Sequence, residues 1–195
     1  LYGHSQGGFF ALAYAGEFPK DVNGVVAHAS GLWTSSQIGP KGHHQAIVLA
    51  REKYGIAPFV YGGQDICMRS GPIISPQVLR DIYFPELKWA VEPLAKNGIG
   101  IIWHCDGNIL PILKDILDLD VVGLQGFEEE HGVNYEEVVN LKDLAGRLLG
   151  IWGCVSVITT LPHGSVQDVK DSVERSFRLA GRGRGFVLSS TSSVM

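Results

Sequence analysis

Cysteine is scarce in this chain: Cys67, Cys105 and Cys154 are the only three among 195 residues. Their odd number and wide spacing exclude a disulfide framework and a CxxC metal knuckle, and point to a reducing, cytoplasmic setting. No apolar run approaches the roughly 20 residues of a membrane span, and no segment reads as a signal peptide. Basic residues form no stripe. The 16 Lys and Arg against 20 Asp and Glu leave a net charge of −4, so neither a nucleic acid nor a membrane is expected as partner. The one basic cluster, Arg182 and Arg184 in a Gly-Arg-Gly-Arg-Gly loop, reads as a solvated turn. Fixed short repeats and low-complexity tracts are lacking too. What is left is ordinary globular composition, 45% hydrophobic and 18% charged, enough to bury a core without cross-links.

From the middle of the chain onward, strand and helix signals alternate. Pro58-Phe59-Val60-Tyr61 is a short apolar strand ending at Gly62-Gly63. Ser75-Pro76 is a cap followed by proline in the first turn, and the helix it opens ends near Asn97-Gly98. Pro85 and Pro93 should kink or divide that helix. Gly100 to His104 is the next strand, apolar as strands buried on both faces are. A helix from about Ile109 to Leu117 follows, then a strand at Val121 to Leu124. Tyr135 to Leu144 reads as a helix closed by Gly146, and Leu148 to Trp152 as a strand. Ser165-Val166-Gln167-Asp168 resembles a capping box at the head of a helix stopped by Gly181. Gly185 to Leu188 is the last strand. This alternation predicts an α/β protein with a parallel sheet. Five strands cannot close an eight-stranded barrel, which needs about 250 residues. The expectation is therefore a partial (β/α)8 TIM-type barrel with its N-terminal strands missing.

In parallel α/β proteins the chemistry sits where strands end. Those ends carry Asp65, then His104-Cys105-Asp106-Gly107, then Gln125 and Glu128, then Gly153-Cys154, then Ser189-Ser190-Thr191. His104 and Asp106 are two apart, so extended backbone puts them on one face and Cys105 on the other. A histidine and a carboxylate converging there can bind a metal, orient a substrate or pass a proton. They can also be hydrogen-bonded scaffolding, and spacing does not separate these uses. His104, Asp106, Asp65, Gln125 and Glu128 are the candidate lining of a substrate pocket.

The ordered set of Gly71-Pro72-Ile73-Ile74-Ser75-Pro76, a long helix, Gly100 through Asn108, Val122-Gly123-Leu124 with an acidic loop, Leu149 through Gly153, Leu161-Pro162-His163-Gly164-Ser165 and Gly185 through Ser190 resembles the uroporphyrinogen decarboxylase-like superfamily. The resemblance implies a (β/α)8 barrel. It implies either a cofactor-free decarboxylase of a tetrapyrrole, in porphyrin biosynthesis, or a zinc-dependent methyltransferase working with cobalamin or coenzyme M. The small-molecule substrate is then a tetrapyrrole or a methyl donor. The methyltransferases hold zinc with a His-x-Cys strand end and a distant cysteine. His104 matches that histidine, Asp106 stands at the first cysteine, and Ser190 and Thr191 stand near the second. The thiolate-rich site is therefore not expected, and His104 with Asp106 is left as a nitrogen and oxygen metal pair. The decarboxylase's catalytic Asp and its Arg residues belong to the missing part. A half-barrel is not expected to be active alone, and its open sheet edges favour self-association.

A second resemblance covers the first 32 or so residues. Gly3-His4-Ser5-Gln6-Gly7-Gly8 is a G-x-S-x-G motif, followed by an apolar helix pattern from Phe9 to Ala15 and a strand at Val25-Val26-Ala27. It is similar to the nucleophile elbow of α/β-hydrolases, where a tight turn exposes the serine at a helix N-terminus. On this reading Ser5 is the nucleophile of a serine hydrolase, His163 the late histidine, and Asp120 or Asp106 the acid, while His43-His44 comes too early. The strand before the elbow is expected to be absent. The organisation expected is thus 1–35 as a hydrolase-like elbow, 36–57 as a junction, and 58–195 as the half-barrel.

Overall fold

The structure, a computed structural model, describes residues 2–4, 26–28, 52, 59–181 and 185–192. By backbone proximity the chain forms two compact units, Leu1–Gly62 with Leu94–Ile101, and Gly63–Pro93 with Ile102–Met195. Among the described residues, no helix is long and apolar enough to cross a membrane.

In the first unit, β1 (Tyr2–His4) and β2 (Val26–His28) pair in parallel, Tyr2 against Val26 and His4 against His28. This corrects the expectation that no strand precedes Ser5. Three residues suffice because Val26–His28 offers them a parallel ladder, so a strand ends immediately before the G-x-S-x-G serine. Ser5, His43 and His44 lie outside the described residues.

The protein is α/β. After β3 (Phe59–Gly63), the chain makes a small antiparallel hairpin of β4 (Cys67–Met68) and β5 (Gly71–Pro72). Ser75 then caps a helix as its sequence foretells, its hydroxyl accepting the Val78 N–H with Pro76 in the first turn. That helix is three segments in series: α1 (Pro76–Val78), a π-helical stretch (Leu79–Tyr83) and α2 (Phe84–Lys96). The division falls just before Pro85, which has no N–H to carry on the preceding ladder. Pro93 is carried inside α2. Gly98, at φ 65°, ends it, and the Ile99 N–H returns to the Leu94 carbonyl at 2.9 Å.

β6 (Gly100–Gly107) and β7 (Val121–Phe127) follow, with α3 (Leu113–Leu117) between them behind a 3-10 turn at Leu110–Ile112. α4 (Tyr135–Val138) leads to β8 (Gly150–Trp152), and α5 (Thr160–His163) and α6 (Val166–Ala180) lead to β9 (Phe186–Val187). The strand order is β3-β6-β7-β8-β9, so sequential strands are neighbours in a parallel sheet. The capping box at α6 forms in full: Ser165 accepts the Asp168 N–H, and Asp168 accepts the Ser165 N–H. Ile112, Ile116, Val121, Leu124, Phe127, Val138, Leu149 and Ile151 are core, and Phe127 stacks on Tyr135 with ring centroids 6.0 Å apart.

The helix expected from Tyr135 to Leu144 stops at Val138. The Asn140 side chain donates to the Glu136 carbonyl at 2.7 Å and the Asn140 N–H turns to the Glu137 carbonyl, and Asp143 then organises the turn that follows. Its carboxylate accepts the Arg147 backbone N–H at 2.8 Å and the Arg147 Nε–H at 2.6 Å. A local turn thus replaces helix bonds, and Gly146, at φ 76°, closes that turn instead of a helix. The turn brings Lys142 back against Leu148 in an antiparallel bridge, which aims the chain into β8. Asp143→Ala is expected to destabilise the fold by about 1–3 kcal/mol, because the buried turn loses its acceptor. The midpoint of urea unfolding measures this, and an unchanged midpoint would refute the role given to the turn.

Candidate strand-end site

The strands reach further than their apolar runs suggest, β6 to Gly107 and β7 to Phe127. At the end of β6 two carboxylates take the last N–H groups: the Asp106 N–H donates to Asp65 Oδ1 at 3.0 Å and the Gly107 N–H to Glu128 Oε2 at 3.1 Å. Successive N–H groups of a strand point to opposite sides. Asp65, from the loop after β3, and Glu128, just past β7, therefore flank the end of β6.

Within β6 the pleat separates faces as the spacing requires. Trp103, Cys105 and Gly107 are buried, while His104 and Asp106 are partly exposed on the opposite face. His104 Nε2 lies 3.2 Å from Asp65 Oδ1 and 3.8 Å from Asp106 Oδ1. The other ring nitrogen, Nδ1, is hydrogen-bonded to Gln125 Oε1. Asp106 is held by its second oxygen: the Ser192 hydroxyl donates to Oδ2 at 2.6 Å. Its Oδ1 is buried with no hydrogen-bond partner among the described residues.

The Gln125 amide decides the protonation of the ring. Its Nε2 donates to the Thr191 carbonyl at 2.8 Å and to the Ser190 carbonyl at 3.3 Å. Those acceptors accept only an N–H, so the amide oxygen must face His104. Nδ1 therefore carries a proton. That leaves Nε2 pointing at two carboxylate oxygens, a geometry stable only with positive charge between them, a proton or a metal cation. Gly126 is required for this packing. It sits at φ 96°, and a Cβ there would lie 2.6 Å from His104 Nδ1.

The ionisation of these groups follows. Burial works against an imidazolium, but the hydrogen bond and charge of Asp65, with Asp106 and Gln125, outweigh it and raise the His104 pKa. The hydrogen bond from His104 holds the Asp65 carboxyl below the ordinary carboxylate range against its own desolvation. Asp106 goes the other way: burial raises it beyond what Ser192 and His104 restore. Burial also raises Glu128, whose Oε2 lies 2.8 Å from His131 Nδ1.

Of the residues singled out from sequence, Asp65, His104 and Asp106 come together, with ligand-capable atoms of all three within 4.8 Å of one another. Gln125 is buried and bonded to His104. Glu128 is buried at the far side of the β6 end. His163 is exposed at the end of α5, and no hydrogen bond or ion pair joins it to Asp120 or Asp106 among the described residues. Sequence reasoning missed Ser192, Gly126 and His131. Ser192 lies 86 positions from Asp106, and no local pattern links residues so distant.

The donor set is one imidazole nitrogen and two carboxylate oxygens. Cys105, the nearest thiol in sequence, is on the opposite face of β6. The residues thus do not fit a thiolate zinc site, and they do fit a divalent ion that accepts nitrogen and oxygen, such as Zn2+, Co2+ or Mn2+. The unpartnered Asp106 Oδ1 suits such an ion. Compared with protein-family models, curated proteins and solved structures, the chain matches none.

Proposed function

We propose that residues 59–192 belong to a uroporphyrinogen decarboxylase-like (β/α)8 barrel. On this reading the strand-end site serves metal-assisted methyl transfer to a thiol, and not decarboxylation of a tetrapyrrole. The observation that carries it is the His104 ring, tied at Nδ1 by Gln125, with Nε2 facing Asp65 and Asp106. Asp65, His104 and Asp106 would hold the ion, which when bound supplies Lewis acidity that favours a thiolate. Asp65, Asp106 and Glu128 surround the β6 end, and Arg175 of α6 is engaged by both oxygens of Glu129 at 2.6 and 2.9 Å. These carboxylates favour a cation at the β6 end.

The test is binding by the chain itself. With Zn2+ present, 2-mercaptoethanesulfonate should bind and release a proton, and uroporphyrin should not bind. Tight uroporphyrin binding without metal, with no thiol response, would overturn the reading in favour of the decarboxylase.

The parallel pairing of Tyr2–His4 with Val26–His28 favours one alternative, a serine hydrolase acting through Ser5, because such a strand precedes a nucleophile elbow. A fluorophosphonate probe that labels wild type and not Ser5→Ala would support that alternative, and absence of labelling would remove it.

A further inference from the structure

Cys105 lies on the face of β6 turned away from His104, and the β4–β5 hairpin brings Cys67 to it. The hairpin is fastened to β6 on both sides of Cys67. Asp65 accepts the Asp106 N–H at 3.0 Å, and the Met68 carbonyl accepts the Asn108 N–H at 3.0 Å. Gly107, at φ 84°, lets the backbones touch: a Cβ there would lie 2.8 Å from the Met68 oxygen and 3.1 Å from the Cys67 carbonyl carbon. Cys67 is thereby laid against the strand segment that bears Cys105. Cys67 and Cys105 are neighbours there, and the Cys105 Sγ donates to the Asp106 carbonyl at 3.3 Å. Both are buried and both are free thiols, as is Cys154.

We propose that Cys67 and Cys105 form a peroxide-sensitive dithiol that closes to an intramolecular disulfide, locking the hairpin that follows Asp65 onto the strand that carries His104 and Asp106. Disulfide closure asks for Cα atoms about 4.4–6.8 Å apart, and the fastening of the hairpin to β6 on both sides of Cys67 favours such an approach. Hydrogen peroxide is the oxidant. The Cys67 sulfur attacks one peroxide oxygen, the O–O bond breaks, the thiol proton leaves with the departing oxygen as water, and a sulfenic acid is left. The Cys105 sulfur then attacks that sulfur, the S–OH bond breaks, and the second thiol proton leaves with the hydroxyl as a second water. Two thiols are oxidised and one peroxide is reduced. The inference does not depend on the metal reading, since it needs no ion at His104 and Cys105 lies on the opposite face of β6.

The experiment treats the native full-length chain with hydrogen peroxide, quenches it, unfolds it and alkylates all remaining thiols with N-ethylmaleimide before peptide mapping. The expected result is loss of two of the three alkylations, with a Cys67–Cys105 cross-linked peptide and Cys154 still labelled. Cys67→Ser should restore labelling of Cys105. Oxidation in denaturant should lose the preference and scatter the pairing over all three cysteines, which separates native placement from intrinsic reactivity. Three alkylated cysteines after native treatment, cross-links through Cys154, or sulfinic acid at Cys67 without a cross-link would each overturn the proposal.

Discussion

Replacing Gln125 with leucine is expected to weaken Co2+ binding by roughly 10–100-fold, the usual cost of removing a group that orients a metal ligand. The substitution leaves Asp65, His104 and Asp106 in place. It removes the acceptor that keeps the proton on Nδ1, so the ring is free to turn and to present an N–H where the ion needs a lone pair. Gly126→Ala should weaken binding in the same direction by pushing its Cβ into the ring, 2.6 Å from Nδ1. Ser165→Ala is the control. Loss of that cap lowers stability by about 1 kcal/mol and should leave Co2+ affinity unchanged, because the cap belongs to α6 and touches none of the three donors. Equal weakening by Gln125→Leu and Ser165→Ala would mean that affinity follows stability, and the role of the glutamine would fail.

The second large effect is in pH. The His104 pKa is raised in the folded chain, so in metal-free protein its contribution to stability is complete below the unfolded imidazole value and is lost as pH rises through the folded value. Asp65 is lowered, so its contribution is present above the unfolded carboxyl value and is lost as pH falls through the folded one. Asp106 is raised. It favours the fold when protonated, and that contribution is lost as pH rises through its folded value, partly offsetting Asp65. Metal-free stability should therefore be highest between the folded pKa values of the carboxylates and of His104. Co2+ affinity should run opposite on the upper side, since the ion must displace the Nε2 proton: about tenfold weaker for each pH unit below the His104 pKa. Thermal unfolding across pH, with and without Co2+, reads both. In His104→Ala the alkaline loss of metal-free stability should disappear. Its persistence in that variant would assign the titration elsewhere.

Local signals were legible where chemistry was local. Ser75-Pro76 and the Ser165 to Asp168 box each satisfy orphan N–H groups within one turn, and both form as written. The two-residue spacing of His104 and Asp106 sets them on one face by strand geometry alone. The failures have a common cause in bonds made at a distance or in competition. At the end of β6, carboxylates from two other segments accept the last N–H groups. Helix α4 stops early because the Asn140 side chain takes the Glu136 carbonyl that a continued helix would use. Gln125 looked like a lining residue at a strand end, and only the Ser190 and Thr191 carbonyls reveal that its amide sets the state of the histidine. Ser192, which clamps Asp106, carries no sequence mark at all. In the N-terminal unit, three residues before Ser5 make a strand because a parallel partner stands at Val26–His28, a pairing that single-strand propensity does not reveal.

The central claim is that Asp65, His104 and Asp106 form one cation site. The measurement that tests it most directly is a Co2+ titration of the wild-type chain, followed by visible absorption and calorimetry, beside His104→Ala and Asp106→Ala. The account predicts one ion per chain in wild type, with ligand-field bands, release of a proton, and loss of both in each variant. Absence of saturable binding in wild type, or binding that survives both substitutions, would contradict it.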